Sequence, residues 1–194
     1  SLSKKDCLSE VENDIDDSLK AECKAFKYKP AIGSLLYLLI HSIPQIMFIL
    51  NVLSRYGTNF GPRHMLFVRH LLAFVKGIRY DQLLFPSHEG PYDIDTMTNK
   101  LQLTFWVDAD LGGNCDNGQS QTCYMGYLGE ALICYASTTQ KSLSTGTAES
   151  EIKAINHTIK AEVESCKGIM EAMGFKQKPI PIYEDNQAAV FVIK

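Results

Sequence analysis

The strongest constraint on the fold is a run of apolar residues that repeats with the period of an α-helix. From residue 152 to residue 173 the apolar side chains recur at steps of 3, 4, 4, 3, 4 and 3 residues, and Gly174 follows as a stop signal. This spacing predicts a long amphipathic helix that buries one face against another element. The apolar positions are Ile152, Ile155, Ile159, Val163, Cys166, Met170 and Met173.

Strand-like segments surround this helix. The stretch "LQLTFWV" (101–107) alternates apolar and polar residues, and "TCYMGYL" (122–128) and "ALICYAS" (131–137) follow after turn residues. A fourth strand is predicted in "KPIPIYED" (178–185), and a second helix after it. The order strand, strand, strand, helix, strand, helix predicts an α/β fold.

The preceding region predicts a small helical unit. Apolar patterns indicate helices over residues 31–41, 44–56 and 63–76. Residues 86–99 collect Pro, Gly, Asp and Thr, which is typical of a linker. We therefore predict a solvated arm or frayed helix at 1–28, a helical unit at 29–85, a linker at 86–99 and an α/β domain at 100–194.

Composition limits the classes of function. A chain of 194 residues with 45% hydrophobic content can build one domain and a smaller helical piece, and its net charge of -3 leaves only a local basic groove for nucleic acid. The six cysteines form no C-x-x-C pair and no secretory leader is visible, which predicts free thiols in an intracellular protein, cytoplasmic or nuclear and not secreted. Polar residues interrupt the apolar region 31–53, so packed helices are favoured over a membrane hairpin.

Acidic residues stand at the junctions of the α/β region. Asp108 and Asp185 end predicted strands, and Glu149 and Glu151 open the long helix. Each has a structural explanation taken alone, as a turn residue, a helix cap or a partner of the helix dipole. Their recurrence at matched junctions instead predicts a cluster that holds two divalent cations through oxygen ligands. Helical phase does not decide between Glu149 and Glu151, because both lie at the edges of the apolar stripe.

The stretches "FWVDADLGG", "CYMGYLG", "STGTAESEIKAI" and "IYEDNQAAV" resemble, in this order, the ribonuclease H domain of copia-type retrotransposon Pol polyproteins. The upstream stretches "AIGSLLYL", "VLSRY" and "LLAFVKG" resemble the end of the reverse transcriptase that precedes it. The resemblance implies a ribonuclease H-like mixed sheet with packed helices. It also implies metal-dependent hydrolysis of the RNA strand of RNA–DNA hybrids. By motif, Asp108, Glu151 and Asp185 would be the catalytic residues and the ligands of Mg²⁺ (or Mn²⁺), with Glu149 as the alternative glutamate and Asp110 as an outer acid.

The sequence departs from this family at several points. Leu111 stands where the family usually has Trp, Lys141 is the only lysine in "YASTTQK", and the family's fourth acidic residue and last strand and helix are not reached. We therefore expect a C-terminally incomplete fragment or decayed copy with weak or no activity. Its partners would be an RNA–DNA hybrid and the rest of the Pol polyprotein. No membrane is expected as a partner, and the sequence makes no prediction of the oligomeric state. The alternative is a silent or co-opted remnant that binds nucleic acid or protein.

Overall fold

The computed structural model describes residues 17–81, 83–85, 97, 100–114 and 117–193. The chain divides into two compact units, Ser1–Leu83 and Leu84–Lys194. Most of the predicted arm and nearly all of the predicted linker lie outside the described residues, so the boundaries drawn from the sequence remain predictions.

The first unit is helical. Its elements are α1 (Asp17–Ala25), α2 (Tyr28–His41), a short 3-10 turn (Pro44–Ile46), α3 (Met47–Ser54) and α4 (Pro62–Gly77). Tyr28 is buried at its centre, where its hydroxyl donates to the carbonyl of Leu53 at 2.8 Å and its ring stacks on Phe60. The small helical unit predicted from the sequence is thus present, with the second predicted helix opening as a 3-10 turn.

The second unit is built on a mixed four-stranded sheet. Its strands are β1 (Leu103–Asp110), β2 (Gln121–Leu128), β3 (Ala131–Thr139) and β4 (Ile182–Tyr183), in the order β3-β2-β1-β4. The pairs β1–β2 and β2–β3 are antiparallel, and β1–β4 is parallel. This architecture confirms the predicted α/β class and is consistent with a ribonuclease H-like fold.

The fourth strand is much shorter than the sequence pattern predicts. Only Ile182 and Tyr183 are in the sheet, whereas the prediction ran from residue 178 to 185. Pro179 and Pro181 lack the backbone N–H that a ladder needs. The carbonyl of Pro181 still accepts a hydrogen bond from the amide of Phe105 at 3.0 Å, so pairing with β1 begins where the prolines end.

The long helix contains a widened turn that the apolar pattern did not predict. Helix α5 (Thr147–Thr158) continues through a π-helical turn (Ile159–Val163) into α6 (Glu164–Ala172), and a final helix α7 spans Gln187–Ile193. A π turn holds more residues than an α turn and so rotates the face that follows it. The predicted stripe is accordingly uneven: Ile155, Val163 and Met170 are buried, Ile152, Ile159 and Cys166 are half-buried, and Met173 is exposed beyond the helix end.

This helix packs on the inner face of the sheet. Phe105 and Leu103 contact Val163 and Met170, and further along the strand Val107 contacts the buried Ile155.

The four cysteines of the described part, Cys23, Cys123, Cys134 and Cys166, are free thiols as predicted. Within the described ranges no helix combines the length and apolar character needed to cross a bilayer.

We expect Ile155→Ala to lower the free energy of unfolding by about 2–5 kcal/mol, because the cavity left between α5 and the sheet cannot collapse fully. Ile155 is 8% exposed and packs near Val107 and Tyr124. Urea denaturation followed by circular dichroism measures the change. Ile169→Ala is the matched control, since Ile169 on α6 is 61% exposed and should cost little. Equal losses in the two variants would mean that the packing face of the helix is misassigned.

Candidate metal centre

Asp108 and Asp185 come together because β1 and β4 are parallel. Trp106 pairs with Tyr183 in register, and each aspartate follows its aromatic neighbour by two residues. The carboxyl ends of parallel strands meet at the same edge of a sheet. Both aspartates therefore lie at that edge, and both are exposed.

Glu151 completes the cluster from the second turn of α5. One oxygen from each of Asp108, Glu151 and Asp185 lies within 4.8 Å of the others, although Glu151 itself is only 5% exposed. The helix brings this carboxylate inside because Ala154 and Ile155, one turn later, are buried against β1. The three carboxylates selected from the sequence thus converge in space.

The environment of Glu151 disfavours its charge. Burial, followed by the nearby charges of Glu184, Asp108 and Asp185, raises the pKa of Glu151 to about 8, while a hydrogen bond from the backbone amide of Ala109 opposes the shift. Its Oε2 is buried and has no hydrogen-bond partner within the described part of the chain. A buried carboxylate oxygen without a partner, beside two exposed carboxylates, fits the donor set of a hard divalent cation.

Glu184 is a fourth acid at this edge that the sequence interpretation did not select. Its Oε1 accepts a hydrogen bond from the amide of Asn186 at 3.1 Å, and its Oε2 is buried without a partner in the described structure. Burial raises the pKa of Glu184, and the neighbouring Asp185 and Asp108 add to the shift. Strand alternation would place Glu184 on the opposite face from Asp185, but β4 ends at Tyr183 and the alternation does not continue. Only its adjacency to Asp185 could have signalled it.

The structure separates Glu149 from the cluster. Its carboxylate accepts hydrogen bonds from the backbone amide and hydroxyl of Thr145 at 2.8 and 2.7 Å and pairs with Lys153 at 2.7 Å. The hydrogen bond from Lys153 is the main reason that the pKa of Glu149 falls to about 2. Glu149 therefore makes its contacts at the N-terminal end of α5, with Thr145 and Lys153. Glu151 is the glutamate that lies beside the two aspartates. Asp110 is not among the carboxylates within 4.8 Å and lies against Gly113 in the turn after β1.

Two further features of the second unit were not predicted. The rings of Trp106 and Tyr183 stack with centroids 4.4 Å apart, and both side chains are substantially exposed on the face of the sheet that carries Asp108. A groove of about 830 Å³ runs between the ends of β2 and β3 and the outer side of α5. Lysines 141, 153 and 160 line it together with threonine, serine and asparagine side chains.

The raised pKa of Glu151 predicts a pH dependence of stability. In the folded protein this carboxyl holds its proton up to about pH 8, while its ordinary value is 4.5. The contribution of this carboxyl to the free energy of unfolding is therefore fully present below about pH 4.5 and is lost as the pH rises through about 8. We expect Glu151→Gln to make the free energy of unfolding in EDTA fall less steeply across this window than it does in the parent chain.

Urea denaturation at several pH values measures this slope. Glu164→Gln, a change at an exposed site in the same long helix, is the control and should keep the parent slope. If Glu151→Gln and Glu164→Gln gave the same slope, burial of Glu151 at this edge would be contradicted.

The comparisons with known proteins agree with the resemblance read from the motifs. The chain is 31% identical over 193 residues to the retrovirus-related Pol polyprotein from transposon TNT 1-94 of Nicotiana tabacum, covering 100% of this chain and 13% of that protein. It is 29% and 28% identical over 167 residues to those from transposons RE1 and RE2 of Arabidopsis thaliana, covering 86% of this chain and 11% of each protein.

No family model and no solved structure matches the chain. At these coverages the chain spans only about an eighth of the length of the tobacco polyprotein and about a ninth of the length of each Arabidopsis polyprotein. Over most of its length the chain is similar to a segment of the retrovirus-related Pol polyproteins of plant transposons, which supports its relationship to copia-type Pol polyproteins.

Proposed function

We propose that the second unit is a ribonuclease H domain that hydrolyses the RNA strand of RNA–DNA hybrids with the help of divalent cations. The observation that carries the proposal is the convergence of Asp108, Glu151 and Asp185, whose oxygens lie within 4.8 Å of one another. The order of the motifs and the relationship to transposon Pol polyproteins support it.

The three carboxylates have different tasks in this proposal. Asp108 and Asp185 are exposed and would bind the cations from the side that a substrate can reach. Glu151 is buried and would bind the cations from the protein side of the cluster, with its unpartnered Oε2 as a ligand. Bound Mg²⁺ or Mn²⁺ would supply an activated water and stabilise the leaving oxygen of the phosphodiester.

Binding of the hybrid would rest on its shape and backbone. A sheet edge and a groove can read A-form geometry and 2′-hydroxyls without reading base sequence. The groove offers the cations of Lys141 and Lys160 to phosphates, whereas Lys153 in its wall is paired with Glu149. The stacked Trp106 and Tyr183 offer an aromatic surface beside the acidic cluster. The rest of a Pol polyprotein would be the second partner.

One feature favours a second candidate function, a nucleic-acid-binding or interaction module without cleavage. Residues 135–141 carry Lys141 as their only cation, so contacts to phosphates on this side are few. This candidate and the ribonuclease differ in a single measurable property, which is hydrolysis.

The first expected outcome concerns metal binding. Because a cation that binds only the folded state stabilises it by mass action, Mg²⁺ or Mn²⁺ at about 100 times its dissociation constant should add about 2.7 kcal/mol and raise the melting temperature. Asp108→Asn should abolish the shift, measured by calorimetry with and without the cation. Glu149→Gln should retain it, since Glu149 lies outside the cluster. A shift that survives Asp108→Asn would contradict this cation site.

The second expected outcome concerns hydrolysis. A labelled RNA–DNA hybrid incubated with this chain and Mg²⁺ should be cleaved slowly in its RNA strand, and Asp185→Asn should reduce cleavage to the background rate. Asp17→Asn, at an exposed site on α1, is the control and should cleave like the parent chain. Hybrid binding without any cleavage would favour the second candidate, and cleavage unaffected by Asp185→Asn would refute the assignment of the site.

A further inference from the structure

A second group of metal-ligating side chains lies in the same unit. The thiols of Cys134 on β3 and Cys166 on α6 and a carboxylate oxygen of Glu162 in the π turn lie within 4.8 Å of one another. All three side chains are half-buried, so a small ion can reach them from solvent. No residue of the acidic cluster belongs to this group.

The long helix supplies two of the three ligands. Glu162 belongs to the widened π turn, and Cys166 follows it by four residues, so both face β3. π turns occur frequently at functional sites because they re-aim side chains within a helix. Here the turn coincides with the point where the helix passes Cys134.

Two neighbouring residues affect these side chains: Gly126 leaves space for the Cys134 thiol, and Tyr124 orients the carboxylate of Glu162. Gly126 pairs with Cys134 across the sheet, and a Cβ at Gly126 would overlap the Cys134 thiol and the ring of Phe105. The hydroxyl of Tyr124 donates to Oε1 of Glu162 at 2.9 Å and orients that carboxylate. Partners that orient ligands in this way are common around metal sites.

The donor set indicates which cation fits. Two thiolates and one carboxylate suit Zn²⁺, which prefers tetrahedral sulfur and nitrogen or oxygen ligands, and do not suit Mg²⁺. Sulfur ligands about 2.3 Å from zinc at tetrahedral angles lie about 3.8 Å apart, so the three groups need to close by about 1 Å at most. Burial raises the pKa of Cys134 to about 12 and raises that of Cys166, so Zn²⁺ would displace the proton of each thiol to solvent when it binds.

We propose that Cys134, Glu162 and Cys166 form a zinc site that ties the long helix to β3. Three protein ligands leave a fourth position for water. Glu162 and Cys166 follow Glu151 by 11 and 15 residues, which at about 1.5 Å per residue separates this site from the acidic cluster by about 16–22 Å along the helix. The zinc site would therefore stabilise the helix rather than take part in phosphodiester chemistry.

Co²⁺ is the probe for the test, because thiolate ligands give it a charge-transfer absorption that oxygen ligands do not. The reduced chain should bind one equivalent with this absorption, and Zn²⁺ should displace it. Cys134→Ser and Cys166→Ser should each lose the absorption, while Cys123→Ser, at another half-buried cysteine of the same sheet, should keep it. Tyr124→Phe should weaken binding by about 10–100-fold through the lost contact to Glu162.

A second measurement does not depend on how well each variant folds. Zn²⁺ should protect Cys134 and Cys166 of the parent chain from alkylation, mapped by mass spectrometry, and leave Cys123 reactive. Absence of the charge-transfer absorption in the parent chain, or its persistence in both serine variants, would overturn the proposal. A Cys134–Cys166 disulfide that persists under reducing conditions and excludes Co²⁺ would overturn it as well.

Discussion

The parallel contact between β1 and β4 involves only two backbone pairs, Phe105 with Ile182 and Trp106 with Tyr183, yet the position of both exposed aspartates depends on it. A strand this short contributes little through its own ladder. Ile182 holds it in place by packing against both buried clusters of the second unit, and the stacked rings of Trp106 and Tyr183 cover the outer face. Hydrophobic contact therefore sets the distance between two charged side chains that would otherwise repel each other.

The acidic cluster opposes stability in the metal-free protein. Glu151 is buried beside other carboxylates, and its Oε2 and that of Glu184 lack partners among the described residues. Packing of Ala154 and Ile155 on β1 offsets this cost, because the same helix turn that buries them carries Glu151 inward. Strain of this kind is typical of functional sites, where neighbouring packing stabilises an arrangement that the polar groups alone would not adopt.

One continuous helix carries candidate metal ligands of two chemical kinds. At its start Glu151 joins aspartates, which are hard oxygen donors, and beyond the π turn Cys166 and Glu162 join Cys134, a set dominated by sulfur. Hard and soft cations would thus be sorted by the donor atoms at each end, without competition for one site. The π turn matters for the second set, because it lies between the face that packs on Val107 and the face that packs on Leu103.

Local patterns in the sequence determined the class of the fold and most of its elements. The alternation in 101–107 and the apolar period beginning at Ile152 are physical signals that act within one segment, and the structure contains the corresponding strand and helix. The short β4, the π turn and the partial exposure of Ile152 were decided by tertiary structure, since they depend on prolines meeting a partner strand and on how a helix rotates over a sheet. The convergence of the three acids followed from the strand order. The motif favoured Glu151 over Glu149 although helical phase did not separate them, and the Thr145 and Lys153 contacts that place Glu149 apart from the cluster exist only in the folded chain. Glu184 and the group around Cys134 were not identified from the sequence, because their members are either adjacent on an irregular segment or far apart along the chain, and neither case leaves a periodic signal.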